Sequence, residues 1–214
     1  MSSTEAITPS VSRIARRQEE TRRRLVEAAH ILLSQGEEKV TIQAITDAAD
    51  VGAGTFYNYF QNREEIFDAV VDDAVERLGQ RLDAMTHDME DAAEIYSFSL
   101  RHLMGMAVTD PVWGWLVVRL GIAHNRLISI LGPRAKRDLM IGIKSKRFSI
   151  PDVDMATAIT FGALLSAIYT HLENPSKEDP SAVFAETMLR MVGIAPDEAK
   201  RITKLPMPTL PVLN

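Results

Sequence analysis

Between Thr41 and Phe60 the sequence holds two short helical patterns separated by a tight break, and that arrangement restricts the fold more than any other stretch of the chain. Thr41 is suited to cap a helix whose apolar stripe is Ile42, Ile45, Ala48 and Ala49. Asp50, Val51 and Gly52 end it. Residues 53–60 then read as a second short helix in which Phe56 and Phe60, four apart, point into one core while Thr55, Tyr57, Asn58 and Tyr59 occupy the remaining face. Two short helices joined by such a turn, the second with a polar exposed face, have the form of a helix-turn-helix. A helix is about as wide as the DNA major groove, so one held there can present side chains to base edges. On pattern alone, an ordinary helical hairpin fits equally well.

The flanks are helical throughout. Leu25, Ala28, Ala29, Leu32 and Leu33 recur at three- and four-residue spacing ahead of Gly36, which reads as a stop. Asn62 reads as the cap of a long helix with Glu64 and Glu65 in its first turn, where the helix dipole favours carboxylates, and Ile66, Val70, Ala74 and Leu78 continue its apolar face. Further helices are expected over 92–107, 112–121, 125–146, 155–172, 180–192 and 196–203, with turns or kinks at Pro111, Gly132-Pro133, Ser149 to Pro151 and Asn174-Pro175. With no strand signal, the chain is predicted to be all-α. The expected organisation is a flexible arm over 1–15, a three-helix helix-turn-helix domain over 16–62, a larger helical domain over 63–205 and a proline-rich tail over 206–214.

Charge is distributed unevenly. Residues 1–63 hold eight Lys/Arg and eight Asp/Glu, so the net charge of −5 belongs to the remainder. Arg13, Arg16, Arg17, Arg22, Arg23 and Arg24 outnumber Glu19 and Glu20 by four, compatible with DNA binding beside an otherwise neutral small domain. The absence of cysteine rules out disulfides and thiolate metal sites and permits a cytoplasmic location. The polar, arginine-rich residues 1–24 do not suit a secretory signal. Residues 155–172 reach membrane-spanning length, but their threonines and serine, and Asp152 and Asp154 just before them, fit a buried helix better, so no membrane partner is expected.

Catalytic patterns are missing. Gly52-Ala53-Gly54 opens like a dinucleotide fingerprint, yet Tyr57 stands where its third glycine belongs. His30, His87, His102, His124 and His171 have no i, i+4 partner for a metal. No enzyme activity, cofactor or metal is expected.

The run from Ala49 to Phe60, with Asn62-Arg63-Glu64-Glu65-Ile66 behind it and Ala28-Ala29 before an apolar helix end, resembles the signature of the TetR family of repressors. The likeness covers about residues 20–70; two positions depart from it, Asp50 where the family usually has Gly and Gly52 where it often has Ser. The resemblance implies a homodimer that binds double-stranded operator DNA, represses transcription and responds to a small-molecule effector. Carried onto this sequence, it implies that Thr41, Gln43, Ala53, Gly54, Thr55, Tyr57, Asn58 and Tyr59 approach the groove and that Arg63 lies near a phosphate. Asn58 suits bidentate pairing with adenine, and Gly54 permits close backbone approach.

In the larger domain the resemblance places an effector cavity among Phe98, His102, Met106, Trp113, Trp115 and Arg119, of which His102 or Arg119 would supply a polar anchor. It also implies dimerisation through Ala156, Thr160, Ala163 and Ala167, a row of small residues on one helical face, paired with Phe184 and Met188 of the 180–192 helix. The long helix from Asn62 is the expected lever between effector and DNA. The rival reading from another class is a helical protein-interaction module without DNA binding.

Overall fold

The computed structural model describes residues 13–34, 40–124 and 126–209, with the side chains of Ile14, Ser34, Leu116 and residues 119–124 left aside. Gly36, the expected stop of the first helix, lies outside the described residues, as does most of the expected N-terminal arm. All regular structure among the described residues is helical. The chain divides into two compact units, Met1–Ala74 and Val75–Asn214.

The first unit holds α1 (Arg13–Ser34), α2 (Ile42–Ala48), α3 (Ala53–Phe56) and the start of α4 (Arg63–Thr86). Its core joins Leu25, Val26, Ala28 and Ala29 of α1 to Ile45, Phe56, Phe60 and then Ile66, Ala69 and Val70 of α4. Because that first part of α4 is buried in this core, the division falls inside α4 rather than at its start, where the sequence had placed it. Asn62 Oδ1 accepts from the Glu65 amide at 2.8 Å and Glu65 returns a bond to the Gln61 amide at 2.6 Å, so the sequence's acidic first turn is a working cap.

The second unit holds the remainder of α4 with α5 (Ala92–Thr109), α6 (Pro111–His124), α7 (Arg126–Lys144), α8 (Val153–Glu173), α9 (Ser181–Met191) and α10 (Pro196–Ile202). Helix α5 is central, packing on α6, α7, α8 and α9. Its core includes Ala93, Tyr96 and Leu100 of α5, Leu139 of α7, Leu189 of α9 and Ile202 of α10. Gly193, with φ +97°, closes α9 by two backbone bonds, Gly193 N–H to Arg190 O and Ile194 N–H to Leu189 O, a conformation only glycine adopts freely.

Two helices carry features that the sequence had singled out. Pro133 sits inside α7, within the helix expected over 125–146, and the buried Leu127, Leu131 and Leu139 hold that helix together against a proline penalty of about 3 kcal/mol. Helix α8 has the length and apolarity to cross a membrane, yet Phe161, Leu164, Leu165 and Ile168 are buried inside the second unit.

Candidate DNA interface and effector cavity

The helix-turn-helix is built on one left-handed residue. Asp50 has φ +52°, and the Ala49 and Asp50 carbonyls both accept from Arg24 Nη2, the second at 3.0 Å. Aspartate tolerates this conformation better than most residues, which is how it stands in for glycine here. Thr41 caps α2 by accepting from the Ala44 amide at 3.1 Å. The second helix is shorter than its sequence suggests: α3 ends at Phe56 and gives way to turns in which Asn58, Tyr59 and Phe60 donate to Thr55 or Phe56 carbonyls. Phe56 and Phe60 are both buried, and their rings meet at 5.6 Å.

Gln43, Ala53, Gly54, Tyr57 and Asn58 are exposed. Tyr57 is 60% exposed, far beyond what an aromatic packed for stability alone requires. A Cβ on Gly54 would meet nothing within 4 Å, so this backbone is open to approach from outside. Thr55 and Tyr59 are half-buried, with Tyr59 packed against the core, and Arg63 lies over the Phe67 ring at 4.9 Å. Sequence reasoning placed Arg24 in the arginine cluster but missed its bonds to the turn, which depend on carbonyls more than twenty positions away.

A cavity of about 50 Å³ lies in the second unit between α4, α5, α7 and α8. Leu82, Leu100, Leu103, Leu131, Phe161 and Leu164 make its walls apolar. Polar groups gather along parts of its lining: Asp83 and Thr86 from α4, Ser99 from α5, Arg134 and Asp138 from α7. Arg134 Nε donates to Asp83 Oδ2 at 2.9 Å, and its two terminal nitrogens donate to Glu76 at 3.1 and 2.5 Å. Arg137 donates to Asp83 Oδ1 at 2.7 Å and to Asp138 Oδ1 at 2.9 Å. The Arg134 hydrogen bonds hold the Glu76 carboxyl below its ordinary value. Burial instead pushes the Asp138 carboxyl up, although Arg137 opposes this. On the α8 side, Thr160 donates to the Ala156 carbonyl at 2.7 Å, so the Tyr96 hydroxyl 2.7 Å from Thr160 Oγ1 is the donor of that pair. Burial pushes the Tyr96 phenol up, keeping it protonated.

The cavity does not use the residues expected from the sequence. Phe98, His102, Met106, Trp113 and Trp115 are absent from its lining, and the side chain of Arg119 lies outside the described residues. Helix α5 turns the row Tyr96, Ser99, Leu100, Leu103 to the cavity, and Phe98, His102 and Met106 belong to another row of the same helix. Phe98 is buried beneath Arg101 at 5.7 Å, and Trp115 packs edge-on against Tyr169. Burial and the charge of Arg81 hold the His102 imidazole below its ordinary value. Asp83, Arg134 and Asp138 were missed, although one signal existed: Arg134 and Asp138 interrupt the apolar row of Leu127, Leu131 and Gly142 on α7.

Two residues of the expected dimer row are turned inward. Ala156 and Thr160 are buried within their own chain, Thr160 in the cavity lining, so they cannot face a partner. Ala163, Ala167, Phe184 and Met188 line an open groove between α8 and α9. The exposed stripe of α8 is instead Met155, Ile159, Gly162, Ser166 and Tyr169, whose Ser166 lines that groove with Val183 of α9.

Residues 25–70 match the family model described as bacterial regulatory proteins of the tetR family, and residues 91–204 match a Tetracyclin repressor-like C-terminal domain. The chain belongs to the TetR family. It is a transcriptional regulator with a DNA-binding N-terminal domain, and its all-α architecture is the one the TetR models describe. Among solved structures, RolR in complex with resorcinol is 42% identical over 92% of this chain and 100% of that one, with a TM-score of 0.75. RolR without ligand is 42% identical over 88% and 100%, with a TM-score of 0.74. The TetR-family repressor QsdR of R. erythropolis, 16% identical over 82% and 96% with a TM-score of 0.62, shares the fold. No curated protein matches the chain.

Proposed function

We propose that this TetR-family regulator is a cytoplasmic homodimer that represses transcription from a palindromic operator and leaves it when a small hydroxylated aromatic enters the α4–α5–α7–α8 cavity. The observation that carries the effector class is the cavity itself, apolar on its walls and polar at Asp83, Arg134 and Asp138, in a chain 42% identical to a protein that holds resorcinol. Apolar walls suit a ring, and fixed donors and acceptors orient its hydroxyls.

Volume supplies the switch. Benzene occupies cavities of roughly 150 Å³, whereas this one measures about 50 Å³, so an entering ring must push its walls apart. One wall is α4, which carries Leu82, Asp83 and Thr86 at the cavity and Ile66, Ala69 and Val70 in the core of the DNA-binding unit. Reversing a 99:1 population requires the effector to prefer the released state by about ten-thousandfold, or about 5.5 kcal/mol. On the DNA side, Tyr57, Asn58 and the open backbone at Gly54 meet base edges and phosphates, with Thr41, Gln43, Ala53, Thr55 and Tyr59 around them and Arg63 at a phosphate.

The test is a selection of genomic fragments by the purified protein, followed by anisotropy titration of the recovered duplex with resorcinol and, as counter-probe, stearate. The expected result is an enriched two-fold symmetric sequence released by resorcinol and not by stearate. Recovery of no enriched sequence overturns the DNA reading; release by stearate alone overturns the effector class.

A further inference from the structure

From Arg13 to Glu20 every described side chain of α1 is exposed, and the core of the first unit begins only at Leu25. The described side chains of this leading stretch therefore gain nothing from packing. Arg13, Arg16, Arg17, Glu20, Thr21 and Arg24 recur at three- and four-residue spacing and line one open concavity along the helix. Glu20 does not neutralise that row, because its carboxylate is taken by Arg23 through bonds of 2.8 and 3.2 Å. Among the described residues, no ion pair or hydrogen bond engages the guanidinium groups of Arg13, Arg16 or Arg17.

The row also has a direction. It ends at Arg24, which donates to the Ala49 and Asp50 carbonyls in the turn ahead of α3, so it is continuous with the helix-turn-helix surface. From Arg13 to Arg24 the helix rises roughly 16 Å at 1.5 Å per residue. The row lies ahead of residues 25–70, which the N-terminal family model matches.

We infer that Arg13, Arg16 and Arg17 form a second DNA-contacting surface that holds backbone phosphates of the duplex flanking each half-site. The inference rests on the DNA-binding reading above and extends it beyond the motif. These contacts add affinity without sequence preference and lengthen the footprint.

The experiment compares wild type, the Arg13→Ala/Arg16→Ala/Arg17→Ala variant and the corresponding triple lysine variant on a short mixed-sequence duplex across a salt series. The same comparison is made on the selected operator with long and trimmed flanks. The alanine variant should show a slope of log K against log salt shallower by about 2.7 for each head engaged, 0.9 for each lost phosphate. The lysine variant should recover most of that slope, since a phosphate accepts either cation. Trimming the flanks should weaken wild type and leave the alanine variant unchanged. Equal slopes for wild type and the alanine variant on mixed-sequence DNA overturn the inference even if the operator is bound normally. Failure to select any operator, with the slope difference intact, sinks the specific-repressor reading and leaves this surface standing.

Discussion

Arg134 on α7 and Asp83 on α4 meet at 2.9 Å beside the cavity, although fifty-one positions separate them in the chain. Gly79, one turn ahead of Asp83, makes room for the pair: a Cβ there would come within 3.0 Å of the Arg134 guanidinium. The same guanidinium binds Glu76, so one side chain from α7 fastens two carboxylates of the helix that continues into the DNA-binding unit. Anything that competes for Arg134 or Asp83 acts directly on α4.

Arg134→Met should therefore separate effector response from DNA binding. The variant loses charge-assisted hydrogen bonds and leaves the partly exposed Glu76 carboxylate without its arginine while Asp83 keeps Arg137, a cost of about 1 kcal/mol. Urea unfolding should show that loss, and resorcinol should no longer release the operator at concentrations that release wild type. Unchanged release would remove Arg134 from the effector site.

Asp138→Asn tests the sign of a buried carboxylate. Its pKa is raised by burial, so the folded state holds the proton more tightly than the unfolded state. The carboxylate thus costs stability as pH rises from the ordinary carboxylate value through the raised one. The asparagine variant should melt higher than wild type at pH 7, with the advantage shrinking as pH falls toward the ordinary aspartate value. Glu76, held below its ordinary value by Arg134, has the opposite sign: its contribution is present above the unfolded pKa and lost as pH falls through the folded one. An Asp138→Asn advantage that grows on acidification would contradict the assignment.

At the turn, Asp50→Gly and Asp50→Val should diverge. Both keep the two carbonyls that Arg24 binds, and Asp50 Oδ2 is 3.7 Å from Arg24 in an exposed pair that contributes little. Glycine removes the left-handed strain at φ +52° and should leave stability within about 1 kcal/mol. A β-branched valine should lose about 1–2 kcal/mol or more in the same urea titration. Equal stabilities would mean that the turn does not require this conformation.

Gly162→Arg addresses the dimer. The position is exposed on α8, and a Cβ there meets nothing within 4 Å, so the fold of one chain accommodates the new side chain. It lies in the middle of the Met155, Ile159, Gly162, Ser166, Tyr169 stripe, whose Ser166 lines a groove with Val183, itself 69% exposed. Light scattering should give a monomer mass with an unchanged helical circular dichroism spectrum. A dimer mass would place the interface elsewhere.

The sequence by itself determined the elements and the turn. Helix-forming periodicity, caps such as Thr41 and Asn62, and the exchange of aspartate for glycine at position 50 all act between residues a few positions apart, and each is read locally. The helix-turn-helix itself was legible for the same reason, because it occupies one continuous stretch. Only tertiary structure decided which row of α5 faces the cavity and that α8 turns Ala156 and Thr160 inward. Helix α5 carries buried side chains at Tyr96, Ser97, Phe98, Leu100, Leu103 and Met104, nearly all round its axis, so its own pattern selects no single face. That choice, like the meeting of Arg134 with Asp83, is made by packing energies between helices distant in the chain, which no local pattern of residues contains.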